Sequence, residues 1–213
     1  MLKEAVQQAE VEILASYEAG QGSDTAGSTL CAILLVDDKL HVAHVGDSRA
    51  VLGRGAEPIQ LTRDHKPGCQ IEAARIEQDD PHADISGDGY MYGELAVARA
   101  IGSAAWKRDP SKRALIPTPD LVSIQLQPDD DFVVLATDGL WDKVDNTQVR
   151  TLLGLFWVVL RGWLGFRWWA VGVCLFLVGV APGWNAARAA WTKDAVCLVD
   201  LQAASFTVYA LVQ

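Results

Sequence analysis

The fold of this 213-residue chain is set by LCAILLVDDKLHVAHVGDSRAVLGRG, Leu30 to Gly55. The stretch contains three short apolar runs, LCAILLV, LHVAHV and AVLGRG, separated by Asp37-Asp38-Lys39 and by Gly46-Asp47-Ser48-Arg49. Turns this short join antiparallel neighbours, because parallel strands need a long crossover connection. The stretch therefore predicts three consecutive strands of an antiparallel sheet.

Helical patterns lie on both sides of these strands. The N-terminal segment MLKEAVQQAEVEIL places Leu2, Val6, Ala9 and Ile13 on one face, which is the spacing of an amphipathic helix. The segment GCQIEAARIEQ predicts a second, shorter helix. Residues 1–150 are therefore expected to form a domain that mixes helices with an antiparallel sheet.

Charge and cysteine content limit the classes of partner and compartment that suit this chain. The formal net charge is −9 and the pI is about 4.8, which argues against nucleic acid as a partner because phosphate binding needs a basic face. An acidic chain suits a site that holds hard cations with carboxylates. The four cysteines are scattered, with no CxxC pair, so they are typical of intracellular thiols.

Candidate ligands lie where apolar strands end. In FVVLATDGLWDKV, Phe132 to Val144, an apolar run stops abruptly at Asp138 and Asp142. Asp47 lies between two of the strands above, and Asp194 precedes a last apolar run. Each aspartate alone also fits a solvated turn. A cation site needs carboxylates from several strand ends, because adjacent side chains on one strand alternate faces.

Taken in order, the motifs resemble the type 2C, metal-dependent family of serine/threonine protein phosphatases. The similarity covers residues 22–150, and a weaker continuation covers residues 186–201. A single piece such as GDSR is a weak signal, whereas five pieces in family order are a strong one. The pieces are GSTLCAILL, HVAHVGDSRAVL, QLTRDHKP, GELAVARAIG and FVVLATDGLWDKV.

The resemblance implies an α+β fold, an antiparallel β-sandwich flanked by helices in α-β-β-α layers. It implies Mg²⁺ or Mn²⁺ at one edge of the sandwich and phosphorylated proteins as substrates. In this family a metal-activated water attacks the phosphorus of phosphoserine or phosphothreonine directly. Divalent cations lower the pKa of bound water and neutralise charge that develops on phosphoryl oxygens.

Site residues follow from the same resemblance. Asp138 matches a direct metal ligand, and Asp194 matches a second one, although Ala195 replaces the expected Asn. Asp47 and Asp142 match acidic positions that hold a peripheral third metal. The segment 65–90 matches the flap that shapes substrate access, with the residues His65, Lys66 and Arg75.

One departure bears on activity. The family's Asp-Gly-His-Gly-Gly motif, whose aspartate bridges two metals, has no counterpart in the 213 residues. We therefore expect weakened metal binding and impaired hydrolysis, and no catalytic residue is assigned. The alternative is a non-catalytic, phosphatase-like binding or regulatory module.

A change in composition divides the chain. Residues 152–181 are apolar except for Arg161 and Arg167, and residues 163–181 have the length of a membrane span if Arg167 lies near the interface. The alternatives are a packed helical hairpin or sequence foreign to the domain. We expect a phosphatase-like domain over residues 1–150, an apolar insertion over 151–185, and a closing helix and strand over 186–213.

Overall fold

The computed structural model describes residues 1–153 together with the backbone of two later strands, 196–200 and 206–212. A helical segment at 146–153 follows the last short helix of the first part. The named elements, in chain order, are α1 Leu2–Glu18, β1 Gly27–Ser28, β2 Leu30–Val36, β3 Lys39–Val45, β4 Arg49–Arg54, β5 Glu57–Gln60, α2 Gln70–Asp79, β6 Ile101–Gly102, α3 Ala104–Lys107, β7 Asp120–Gln125, β8 Asp130–Ala136, α4 Asp138–Trp141, β9 Val196–Asp200 and β10 Phe206–Val212.

Two four-stranded antiparallel sheets form the centre of the fold. The first has the order β10-β2-β3-β7, and the second has the order β5-β4-β8-β9. Strands β2 and β3 pair from Leu30↔Val45 to Val36↔Lys39, so Asp37 and Asp38 alone form the turn. A two-residue hairpin turn of this kind favours positive φ, and Asp37 has a φ of 53°.

The chain passes from the first sheet to the second at Gly46, between β3 and β4. Gly46 has a φ of 96°, and a Cβ there would lie 2.3 Å from Thr29 Cγ2. Only glycine therefore fits this crossing without strain. The crossing brings Asp47 to the same end of the sandwich as the end of β3.

The inner faces of the two sheets pack together. Cys31, Ile33 and Leu35 alternate along β2 and point inward, as period-two side chains must. They form one buried cluster with residues of β4 and β8, including Leu52 and Leu135. The apolar runs that identify the strands in the sequence therefore form the centre of the sandwich.

Each outer face carries helical residues. Val6 of α1 packs in a cluster with Ala32 and Ala43 of the first sheet. On the second sheet, Val134 packs with Trp141 and other helical residues. The order is therefore helix, sheet, sheet, helix, and the predicted α+β sandwich in α-β-β-α layers is confirmed.

The predicted apolar insertion, 151–185, and Asp194 lie outside the described residues, apart from residues 151–153. In the ranges with described structure, no helix has the length and apolar character needed to cross a bilayer. Strand β9 pairs with β8, and β10 pairs with β2.

Candidate functional site

Asp138 follows directly from the second sheet. Strand β8 lies between β4 and β9, and Phe132 to Ala136 are buried. Thr137, also buried, precedes the one-turn helix α4, and the Asp142 amide donates to the Asp138 carbonyl over 2.8 Å. The buried strand therefore holds both carboxylates of TDGLWD on one turn.

Asp47 reaches the same region from the other strand connection. Its side chain is only 5% exposed, and its Oδ2 lies 2.9 Å from Lys66 Nζ. Burial raises the pKa of Asp47, the Lys66 ammonium counteracts this, and the Asp138 charge adds to the rise. Asp47 and Asp138 are therefore electrostatic neighbours, although 91 positions separate them in the sequence (138 − 47).

The charge of Lys66 is influenced by all three carboxylates. Burial opposes its charge, but the hydrogen bond to Asp47 and the charges of Asp47, Asp142 and Asp138 together raise the pKa of Lys66. The ammonium therefore lies within the field of all three groups. We call Asp47, Asp138 and Asp142 the acidic cluster.

Arg49 on β4 holds together segments that surround the acidic cluster. Its Nε and Nη2 bind the two carboxylate oxygens of Asp64 at 2.9 and 2.6 Å, and its Nη1 donates to Asn146 over 3.0 Å. Its guanidinium also lies 5.3 Å from the centre of the Trp141 ring. Arg49 therefore links β4, the loop after β5 and the turn that carries Asp138. Sequence reasoning did not assign Arg49 a role, although the motifs GDSR and LTRDHKP contain Arg49 and its partner Asp64.

The three predicted flap residues occupy different places. Lys66 is in the acidic cluster, as described. His65 is buried, and its Nδ1 accepts the Gly46 N–H over 3.1 Å. Arg75 lies on α2, where it pairs with Glu72 and Asp79. Of the three, only Lys66 reaches the acidic cluster.

The acidic cluster fits a hard divalent cation by donor chemistry. Mg²⁺ and Mn²⁺ prefer carboxylate and water oxygens, and three carboxylates from two strand connections act electrostatically on Lys66 here. The Lys66 ammonium is the competing cation, because it already pairs with Asp47. Metal binding at this point must therefore displace or share the Asp47–Lys66 contact.

Among the described residues, the group whose ligand atoms all lie within 4.8 Å of one another is a different one, His44, His65 and Asp120. The two rings are stacked, with centroids 4.3 Å apart and planes 11° apart, so their in-plane lone pairs do not converge on one ion. The Gly46 N–H already occupies His65 Nδ1, and Arg99 Nη1 lies 2.8 Å from Asp120. This group therefore does not fit a metal site.

Comparison with known proteins identifies the family. The sequence model for protein phosphatase 2C matches residues 1–153, which contain six of the eight strands of the two sheets and the acidic cluster. The chain therefore belongs to the protein phosphatase 2C family, as the motifs predict. This family is metal-dependent, with Mg²⁺ or Mn²⁺ as the ion.

Individual curated proteins similar to this chain carry the same family name. The chain is 37% identical over 142 residues to probable protein phosphatase 2C 58 of Oryza sativa subsp. japonica, a match that covers 63% of this chain and 38% of that protein. It is 40% identical over 131 residues to protein phosphatase 2C homolog 2 of Schizosaccharomyces pombe, covering 59% and 35%. The chain thus spans well under half the length of these curated relatives.

A solved structure shares the fold. The crystal structure of a serine-threonine phosphatase 2C from Toxoplasma gondii superimposes with a TM-score of 0.60 at 24% sequence identity. The superposition covers 75% of this chain and 55% of that one. At this identity the similarity supports the shared sandwich architecture.

Proposed function

We propose that this chain binds Mg²⁺ or Mn²⁺ at the acidic cluster and takes part in metal-dependent dephosphorylation of phosphoserine and phosphothreonine in proteins. The Asp47–Lys66 pair, on which the charges of Asp138 and Asp142 also act, carries the proposal. Family membership supports the reaction class.

The protein side chains have separate roles in this proposal. Asp138 and Asp142, held on one turn by β8, present carboxylates to the ion, and Asp47 adds a third from the other strand connection. Asp194 remains a predicted further ligand. When bound, the ion supplies a water of lowered pKa and neutralises phosphoryl charge. Lys66, once released from Asp47, is a cation suited to a substrate phosphate.

Turnover by the 213-residue chain is expected to be low. The sequence contains no Asp-Gly-His-Gly-Gly motif, and that motif carries the carboxylate that bridges two ions in the family. One ion at the acidic cluster neutralises charge but does not form a two-ion clamp on the attacking and leaving oxygens.

The second candidate is a non-catalytic, phosphatase-like binding module. The Asp47–Lys66 pair favours it, because a buried carboxylate that already has an ammonium partner does not need a metal for stability. The module would keep the phosphatase-like surface without the reaction.

Titration calorimetry with Mn²⁺ and hydrolysis of a phosphothreonine peptide test both candidates on the full chain. The Asp138→Asn variant is expected to lower Mn²⁺ affinity at least about tenfold, because it removes one charged ligand. The control is Asp129→Asn, which removes the same charge from an exposed turn before β8.

Three outcomes are informative. Mn²⁺ binding with weak hydrolysis that Asp138→Asn abolishes supports the phosphatase. Binding with no hydrolysis supports the module. Equal Mn²⁺ affinity in the wild type, Asp138→Asn and Asp129→Asn contradicts the proposed cation site.

A further inference from the structure

Two histidines stack in the interior beside the acidic cluster. His44 lies on β3 and His65 lies in the loop that follows β5, and each is 1% exposed. Their ring centroids are 4.3 Å apart, and their planes differ by 11°. Two imidazolium cations at this distance would repel strongly in a buried place, so the packing requires neutral rings.

Hydrogen bonds define the proton positions on both rings. His44 Nε2 donates to the Arg63 carbonyl over 2.8 Å, because a carbonyl only accepts. His65 Nδ1 accepts from the Gly46 N–H over 3.1 Å, because an N–H only donates. Each neutral ring therefore carries its proton on Nε2. Protonation of His65 would place a second proton on Nδ1, facing the Gly46 N–H.

The same loop is also fastened through its backbone. The His65 N–H donates to the Gly46 carbonyl over 3.0 Å, and the His65 carbonyl accepts from the Ala98 N–H over 2.7 Å. Residue Lys66, which pairs with Asp47, comes next in the chain. The position of His65 therefore sets the position of the ammonium in the acidic cluster.

The other nitrogen of each ring has no hydrogen-bond partner among the described residues. Within the described ranges, the buried atoms His44 Nδ1 and His65 Nε2 make no hydrogen bond to protein. Asp120 Oδ2 on β7 lies 3.3 Å from His65 Nε2 without hydrogen-bond geometry. A proton added to His44 Nδ1 would be buried without an acceptor, which costs free energy.

Charged groups around the pair partly cancel. The Asp120 carboxylate favours protonated histidine, Arg99 disfavours it, and Asp64 favours it on His44. Burial is the largest influence and lowers the pKa of both histidines. For His65, burial, the neighbouring His44 and Arg99 lower the pKa to about 4.

We propose that the stacked His44–His65 pair is an acid-sensitive latch that fastens the loop of residues 61–66, and with it Lys66, to the end of β3. The neutral pair holds the loop closed. Protonation of a histidine favours the released loop, in which the ring is solvated and Lys66 no longer pairs with Asp47.

The sign and size of the pH dependence follow from linkage. A histidine with a lowered pKa in the closed state stabilises closure fully above its solvated pKa, and this contribution is lost as the pH falls towards the lowered value. With a pKa of about 4 when closed and about 6.5 when released, His65 alone raises the opening constant about 30-fold between about pH 7.5 and pH 5.

Hydrogen exchange of the full chain, followed by mass spectrometry and corrected for intrinsic pH effects, tests the latch. We expect protection of the peptide covering residues 61–66 to fall by about 30-fold between about pH 7.5 and pH 5. Protection of Asp130–Ala136 in β8 should change much less. Unchanged protection in 61–66, or equal loss in both peptides, overturns the proposal.

Matched variants isolate the histidines. His65→Asn retains an acceptor for the Gly46 N–H, and His44→Gln retains a donor for the Arg63 carbonyl, but neither replacement titrates in this range. Each should reduce the pH response of the 61–66 peptide. The control His41→Gln replaces a histidine on the same strand that bonds Ser123 and should leave the response intact. If both latch variants retain the wild-type response, the wild-type exchange does not arise from these histidines, and the proposal fails.

Discussion

The ends of β8 and β3 each lead to an aspartate of the acidic cluster, but they hold it in different ways. Asp138 begins a one-turn helix directly after a buried strand and is half-buried. Asp47 follows a glycine with positive φ, is almost fully buried and has Lys66 as its partner. The position of the first carboxylate follows from the strand next to it in sequence, and the second pairs with Lys66, in a loop 19 positions away (66 − 47).

This difference has a physical origin. A half-exposed carboxylate keeps much of its hydration. A buried one loses its hydration, and its ionised form then requires a cation or several donors. The ionised Asp47 therefore depends more on its surroundings than Asp138 does, and mutations near Asp47 should have larger effects on the free energy of unfolding.

The largest effect should come from Gly46→Ala. The new Cβ would lie 2.3 Å from Thr29 Cγ2, and the φ of 96° would be strained. We expect a loss of about 3 kcal/mol in the free energy of unfolding, measured by urea denaturation. The control Gly89→Ala has a φ of 88° but meets no atom within 4 Å, so only the strain of about 1 kcal/mol applies. Equal losses in the two variants would show that the contact with Thr29 does not matter.

Lys66→Met should have an intermediate effect, because it leaves the buried Asp47 carboxylate without its cation. The Lys66 side chain is 43% exposed, so solvent screening limits the expected loss at neutral pH to about 2 kcal/mol. The pKa of Asp47, already raised by burial, should rise further. An acid whose pKa is raised on folding destabilises the fold above that pKa, so stability of the variant should recover as the pH falls towards the raised value.

The double variant Asp47→Asn/Lys66→Met provides the control for this pair. Removing both charges should restore part of the stability lost in Lys66→Met, because no unpaired buried charge remains. Urea denaturation of the four proteins in the cycle measures the coupling. Additive effects would mean that the 2.9 Å contact contributes nothing.

Asp142→Asn should have the smallest effect on folding. Asp142 is exposed, so the free energy of unfolding should change by no more than about 0.5 kcal/mol. Its Mn²⁺ affinity should nevertheless fall, since a carboxylate becomes a neutral amide. Calorimetry and urea denaturation on the same sample separate the two effects, and a large loss of stability would contradict the exposed position.

Much of this protein could be predicted from its sequence because the relevant signals are local. The continuous apolar run Leu30–Val36 and the apolar segment within Lys39–Val45 indicate strands, and the two residues between them require a hairpin. The apolar run before Asp138 likewise predicts a buried strand that delivers a carboxylate. Asp138 as a metal ligand remains a prediction, but its position at the end of β8 follows from its own segment.

Other features depend on contacts between distant segments. Lys66 was predicted as a flap residue, and nothing in LTRDHKP indicates that its ammonium lies on Asp47. The stacking of His44 with His65 is equally invisible in the sequence. The two residues are 21 positions apart, and no sequence periodicity relates a residue on a strand to a residue in a distant loop. The hydrogen bonds of Arg49 with Asp64 and Asn146 are also not predictable from the sequence, because they form only when three segments fold against one another.

The sequence by itself therefore determined the strand ends at which the aspartates lie, because apolar patterns and turn chemistry act over a few residues. The order of its motifs determined the family and, through that resemblance, the sandwich. Only the tertiary structure decided which carboxylate is buried, which cation balances it and which histidines must stay neutral. Those properties depend on solvent exclusion and on charges a few ångströms apart in space, and both exist only after the sheets and loops have packed.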